Sequence, residues 1–270
     1  MFRRVLIALD GSVNAERILP VIEPLLVKLD ATAVLCQVLP PDGSGAWARA
    51  YLRLRARRLE GKGIPTDTET PRGEPALRIL QTAASCGADL VALTTHGRGA
   101  LGRWILGSVA HKVLRSCPVP LLLAKGIGAR HAALRTILVP LDGSKRAEAA
   151  LPQATALARA TGATLLLLHV SPERGLESES SKFRRWVRSE RRKAEARLSR
   201  LCEIFSDLSV RAEFDEGDPA ARILDRSERQ PGTLIAISSH GRTGIKRWAF
   251  GSVTEKVLQG ARVPLLILRS

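Results

Sequence analysis

Short apolar runs alternate with longer stretches of helical period along the whole chain. Residues 5–9 and 33–39 are almost wholly apolar, which predicts strands buried on both faces, as in a parallel sheet. Between them Ile18, Val21, Ile22, Leu25, Leu26 and Leu29 recur at helical spacing, with Ser12 or Asn14 available to cap a single helix. An amphipathic helix is predicted over 47–59. A weaker strand is predicted over 66–70, where alternation with polar residues suits a sheet edge. Glu74-Pro75 opens another helix carrying Leu77, Ile79 and Leu80, since proline is tolerated in a first helical turn. A strand at 90–94, a glycine loop, a helix at 108–115 and a strand at 120–124 follow.

The same order then recurs. Strands are predicted at 137–141, 165–170, 234–238 and 265–268, with a helix over 147–161. A Ser/Glu-rich segment at 172–183, expected to be mobile, precedes a long basic helix. The sequences repeat as well as the pattern. Asp10-Gly11-Ser12 returns as Asp142-Gly143-Ser144, and Gly73-Glu74-Pro75-Ala76 as Gly217-Asp218-Pro219-Ala220. Gly107-Ser108-Val109 returns as Gly251-Ser252-Val253, and Val119-Pro120-Leu121-Leu122 as Val263-Pro264-Leu265-Leu266. A period this long marks a duplicated domain and not a solenoid unit, whose period is about 20–50 residues. We expect domains at residues 1–128 and 133–270.

Alternating strands and helices predict an α/β fold with a parallel sheet in each half. Right-handed crossovers then favour the strand order 3-2-1-4-5, with helices on both faces. Ligands in such sheets bind at the carboxyl ends of the strands flanking the reversal, here strands one and four. Those ends are Asp10 with Thr94-Thr95-His96, and Asp142 with Ser238-Ser239-His240.

Charge changes the picture little. The net charge of +16 divides evenly: 18 basic against 10 acidic side chains in residues 1–132 and 24 against 16 in the rest, so +8 in each. An appended basic tail would be lopsided. Arginine-rich segments at 49–58 and 184–200 read as solvated helix faces, or as a surface for nucleic acid or acidic partners. Aromatic residues are only 4%, which argues against stacking platforms for single strands. Cys36, Cys86, Cys117 and Cys202 form no close pair and do not recur between the halves. A zinc site or a disulfide framework is therefore not expected. No apolar run approaches the ~18 residues of a spanning helix, and Met1-Phe2-Arg3-Arg4 leads directly into a strand, so a cytoplasmic location is expected.

The chemistry concentrates in two loops, each between a strand and a helix start. Both carry His-Gly-Arg (His96-Gly97-Arg98; His240-Gly241-Arg242), then Arg-Trp, then Gly-Ser-Val at one spacing. Glycines let backbone N–H groups approach a phosphate, and a helix start adds unpaired donors and partial positive charge. Gly97 to Gly102 matches GxGxxG only formally. The second half has Thr243 and Lys246 in place of two of its glycines, and the loop follows the fourth strand, not the first. Other readings stand beside each residue. Asp10 and Asp142 are turn formers or ligand contacts. Ser108 and Ser252 are helix N-caps or phosphate contacts. His96 and His240 fix the loop, and no carboxylate is spaced to orient them as bases. Arg98 and Arg242 are phosphate partners or solvated loop residues, and Trp104 and Trp248 are packing residues.

The pattern Gly-x2-Gly-x9-Gly-Ser/Thr after strand four, with the strand-one Asp, resembles the universal stress protein (UspA) family over essentially the whole chain, as two tandem domains. The resemblance implies an adenine nucleotide alpha hydrolase-like fold and ATP as ligand, with Mg2+ as its companion. By position it assigns one site to Asp10, Val38, Gly97, Gly107, Ser108 and Val109. It assigns the other to Asp142, Val170, Gly241, Gly251, Ser252 and Val253. The first glycine of the pattern is Thr94 in one half and Ser238 in the other. A side chain there crowds the phosphates or donates its hydroxyl to them. The implied function is a stress-response protein whose conformation or partner choice follows nucleotide. The competing reading is an interaction scaffold with a vestigial crevice. No positioned nucleophile or base is visible, so weak ATP hydrolysis is the most that is expected of it as an enzyme. The apolar strand-five edges, 121–123 and 265–268, need a partner. The family pairs domains through them, implying intramolecular pairing or a homodimer.

Overall fold

The computed structural model describes residues 1–42, 44–95, 106–125, 133–171, 181–239 and 250–269; for residues 181–187 this extends to the backbone alone. The chain divides into two compact units. The first contains Met1–Ala133 together with Arg262–Arg269, and the second Leu134–Ala261.

In the first unit the elements run β1 (Arg4–Ala8), α1 (Val13–Glu16), α2 (Leu19–Leu29), β2 (Thr32–Cys36), α3 (Ala46–Glu60), β3 (Thr66–Glu69), α4 (Pro75–Ser85), β4 (Leu90–Thr94), α5 (Ser108–Ser116) and β5 (Leu121–Ala124). The strands lie in the order β3-β2-β1-β4-β5, all parallel. Val5, Leu6 and Ile7 of β1 and Val91 and Ala92 of β4 are fully buried, as central strands covered on both faces must be. Strand β3 is the edge, and its Asp67, Thr68 and Glu69 are exposed. Polar residues on an exposed edge discourage pairing with another chain. The ion pair Arg55–Glu16 (2.6 Å) joins α3 to α1 and Lys62–Glu23 joins the turn after α3 to α2, and Lys112–Glu74 (3.0 Å) joins α5 to α4.

The second unit repeats the plan with β6 (Thr136–Leu141), α6 (Lys145–Glu148), α7 (Leu151–Thr161), β7 (Thr164–Ser171), α8 (Ser181–Ile204), β8 (Val210–Glu216), α9 (Pro219–Glu228), β9 (Thr233–Ser238) and α10 (Ser252–Gly260). Its strands lie in the order β8-β7-β6-β9, again parallel. The predicted mobile segment lies, over residues 172–180, outside the described residues.

The structure departs from the sequence pattern after each first strand, where two helices replace one. Pro20 has no N–H to give the Glu16 carbonyl, and Pro152 none for Glu148. Helices α1 and α6 end at those two residues, and α2 and α7 restart with the prolines in their first turns. Ser12, not Asn14, is the cap of α1: its Oγ accepts the Ala15 N–H at 3.1 Å, and Asn14 sits inside the helix. Ser144 does the same for α6, accepting the Ala147 N–H at 3.1 Å.

The last strand, β10 (Leu265–Leu268), belongs to the first unit. It runs antiparallel to β5 with Leu265 opposite Leu123, Leu266 opposite Leu122 and Ile267 opposite Leu121. All six side chains are buried, so the apolar edge of β5 has its partner. Arg269 adds a hydrogen bond from Nη2 to the Leu114 carbonyl at 2.8 Å. Leu266→Ala is expected to cost about 2–5 kcal/mol. Hydrogen exchange checks this: protection should fall in β4 and β5, although the substitution lies some 140 residues away in sequence. Unchanged exchange in β5 would contradict the pairing.

Candidate functional site

Each site is built where strands separate. In the first unit the β1–β4 ladder ends at Ile7 opposite Ala92, whereas β1 stays with β2 through Ala8 and Cys36, and the Leu9 N–H reaches the Cys36 carbonyl at 2.8 Å. Strand β4 likewise stays with β5 through Thr94 and Ala124. In the second unit the β6–β9 ladder ends at Leu138 opposite Ile235, while β6–β7 pairing continues to Leu141 opposite His169. Strand one therefore parts from strand four before Asp10, and again before Asp142. The crossovers from these two strands go to opposite faces, leaving a crevice at their carboxyl ends that no helix bridges among the described residues.

Turn chemistry fixes the floor of each crevice. Asp10 Oδ1 accepts the Ser12 N–H, and Asp142 Oδ1 the Ser144 N–H, both at 2.9 Å. Gly11 and Gly143 take the left-handed φ that these turns require, 79° and 80°. The turn-forming role of the two aspartates is thus realised, with one carboxylate oxygen of each engaged in it.

The far wall is the helix start after strand four. Gly107 N–H bonds to the Thr95 carbonyl at 2.8 Å, and Gly251 N–H to the Ser239 carbonyl at 3.2 Å. These bonds bring the helix start back to the strand end across the loop. The N-cap residues are Gly107 and Gly251, so of the two readings of Ser108 and Ser252 the N-cap one is corrected. The serines are the first helical residues. A glycine cap offers no side-chain oxygen to the first-turn N–H groups of Ser108, Val109, Ser252 and Val253, and donors of that kind suit an anion.

Thr94 and Ser238 are buried, at 6% and 4% relative exposure, at the strand ends. In the second unit Thr254 Oγ1 donates to the Ser238 carbonyl at 3.1 Å. Val38 is half-buried beyond the end of β2, and Val170 is buried near the end of β7, on the strands next to β1 and β6. The structure thus brings Asp10, Val38, Thr94, Gly107, Ser108 and Val109 to one end of one sheet. It brings Asp142, Val170, Ser238, Gly251, Ser252 and Val253 to the corresponding end of the other. His96, Gly97, Arg98, His240, Gly241 and Arg242 lie outside the described residues, as do Trp104 and Trp248.

Two residues with a positioning role were not singled out from sequence. Glu74 caps α4, accepting the Leu77 N–H at 2.7 Å, and its other oxygen meets Lys112 Nζ at 3.0 Å. Asp218 caps α9, accepting the Ala221 N–H at 2.9 Å, and meets Lys256 Nζ at 3.0 Å. Each ties the helix that opens the site to its neighbour. The signal lay in the repeated Gly-acid-Pro-Ala, where an acid before a first-turn proline is a cap. Backbone N–H donation first, and the lysine second, hold both carboxyls below their usual range.

Comparison with known proteins agrees with this architecture. The model of the universal stress protein family matches residues 1–125 and again 133–269. A universal stress protein of Mycolicibacterium smegmatis is 29% identical over 212 residues, 78% of this chain and 71% of that protein. Universal stress protein Mb2028c of Mycobacterium bovis is 30% identical over 185 residues, covering 67% of this chain and 62% of its own length. The crystal structure of a universal stress protein from Archaeoglobus fulgidus DSM 4304 matches with a TM-score of 0.71 at 23% identity, over 98% of this chain and 96% of that one. A functionally unknown protein from Pseudomonas aeruginosa PAO1 matches with a TM-score of 0.78 at 18% identity, over 99% and 92%. At these identities the two structures show the fold alone.

The lowered carboxyls give a pH signature. A group depressed in the folded state stabilises above its unfolded pKa, and that contribution is lost as pH falls through the folded value. Glu74→Gln with Asp218→Asn is therefore expected to flatten the loss of stability below about pH 5, measured by urea unfolding at several pH values. Parallel pH curves for variant and parent would refute the assignment.

Proposed function

Because the chain belongs to the universal stress protein family, we propose that each crevice binds ATP and that nucleotide sets the protein's conformation or choice of partner in a stress response. The observation that carries this reading is the coincidence, twice in one chain, of a strand-one aspartate, parted strands and a glycine-capped helix start. Asp10 and Asp142 would lie beside the ribose, and Val38 and Val170 beside the base. The first-turn N–H groups at Ser108 and Ser252, with the loop residues Gly97, Arg98, Gly241 and Arg242, would receive the phosphates. Among the described residues no group of three His, Cys, Asp or Glu side chains is placed to hold a metal. Any Mg2+ would therefore arrive with the phosphates.

We assign hydrolysis no more than a weak role, and the protein a cytoplasmic setting; the strand-five edges are used on each other within the chain, which supports intramolecular pairing over a homodimer through them. Nucleic acid is a secondary partner reading, resting on the basic charge alone. Among the described residues no helix is long and apolar enough to cross a membrane.

One observation favours the scaffold alternative: Thr94 and Ser238 put buried side chains where the family pattern has glycine. Mass spectrometry of small molecules released on denaturation, with ATP titration of the stripped protein, separates the two readings. Two adenine nucleotides per chain are expected, and Asp10→Ala with Asp142→Ala is expected to weaken binding about tenfold, the loss of one charge-assisted contact per site. No nucleotide released and no binding at millimolar ATP would leave the scaffold.

A further inference from the structure

The second unit carries a cleft at the opposite end of its sheet from the crevice just described. It has a volume of about 360 Å³, and its lining includes Arg135, Arg211, Arg226, Glu213, Leu166 and Pro231. This is the amino end of the strands: Thr136 opens β6 and pairs in register with Thr164 at the start of β7, and Leu166 pairs with Arg211. A volume of this size suits a small organic ligand.

The first repeat provides an internal control. There the matching register pairs Arg4 with Thr32 and Val34 with Asp67, so Arg4 corresponds to Thr136 and Asp67 to Arg211. In the first unit that end is neutralised from within. Arg4 Nη2 donates to Asp67 Oδ2 at 2.5 Å, and Asp89 accepts the backbone N–H groups of Arg3 and Arg4 at 2.7 and 3.1 Å. In the second repeat both acids are gone, Thr233 standing for Asp89 and Arg211 for Asp67. Glu213, the acid lining the cleft, is held by Nε and Nη2 of Arg226. Arg135 and Arg211 are left with no ion pair or side-chain hydrogen bond among the described residues. The excess of positive charge is local and directed at a cavity, where the sister repeat spends it on an internal ion pair.

We propose that this cleft binds a small phosphomonoester, its phosphate held between the Arg135 and Arg211 guanidiniums and its organic part resting on Pro231 and the edge of Leu166. A guanidinium presents a planar fork that matches two oxygens of an oxyanion. Two forks from separate elements, the residue before β6 and the edge strand β8, suit the three terminal oxygens of a phosphomonoester. A carboxylate has one such edge and satisfies one fork. The site is separate from the nucleotide crevices and does not depend on them.

Isothermal titration of the full chain with phenyl phosphate tests the site, with benzoate as control. Arg211→Asp restores the acid that the first repeat carries, and the Arg135→Ala/Arg211→Ala pair removes both forks. These side chains are exposed, and retained folding is checked by thermal unfolding, so either variant serves if the other misfolds. Phenyl phosphate should bind the parent chain, benzoate should bind far more weakly, and each variant should lose about tenfold or more in phenyl phosphate affinity. Absence of binding to the parent, equal binding of benzoate, or undiminished binding in the variants would each overturn the proposal.

Discussion

The crevices exist because a right-handed crossover fixes which face of a sheet the chain must use. From strand one the chain moves outward in one direction to strands two and three. From strand three it must jump back across to strand four, and its helices then fall on the other face. Strands one and four are neighbours that no crossover connects directly. In both units their ladder ends short, at Ile7 opposite Ala92 and at Leu138 opposite Ile235, while β1 stays paired with β2, β4 with β5 and β6 with β7. A twisted sheet opens where two neighbouring strands part, and the described residues proposed to meet nucleotide lie at that end of each sheet. The aspartate turns, the glycine caps and the carboxylates that lock α4 to α5 and α9 to α10 all hold the edges of a gap that topology creates.

Duplication separates what that gap requires from what is free to change. The Asp-Gly-Ser turn, the glycine cap and the acid–lysine tie recur with nearly the same distances. The amino ends of the strands do not recur. Asp67 gives way to Arg211, and the ion pair that closes one copy becomes an open basic cleft in the other. Of the two ends of the sheet, only the carboxyl end is held constant, as expected if the shared function resides there.

Strand positions were legible because central strands of a parallel sheet are continuous apolar runs, and the topology followed from their alternation with helical stretches. The break between α1 and α2 was not legible because the apolar positions that signal a helix, Ile18 to Leu29, begin only at its far side, so the pattern runs on from the cap at Ser12 without marking a stop; only the absent N–H of Pro20 reveals it. Ser12 was correctly among the candidate caps. Of the two readings open for Ser108 and Ser252, the N-cap one fails, because sequence spacing does not say whether a serine or the glycine before it ends the loop. The caps at Glu74 and Asp218 were present as a repeated motif, but their lysine partners lie 38 residues further on, beyond any local pattern. The cleft at Arg211 depends on charges contributed by several separate segments, and no periodicity records it.

The placement of β10 has a consequence for biosynthesis. Leu122 of β5 is covered by Leu266, a residue 266 − 122 = 144 positions later in the chain. At a synthesis rate of about 5–20 residues per second, the apolar border of β5 stays unpaired for roughly 7–29 s after it is made. Throughout that interval the nascent first repeat carries an open strand able to recruit a neighbouring chain. The first unit is thus completed only after the strands of the second have been made, and a message truncated anywhere before β10 leaves the first as a sticky fragment.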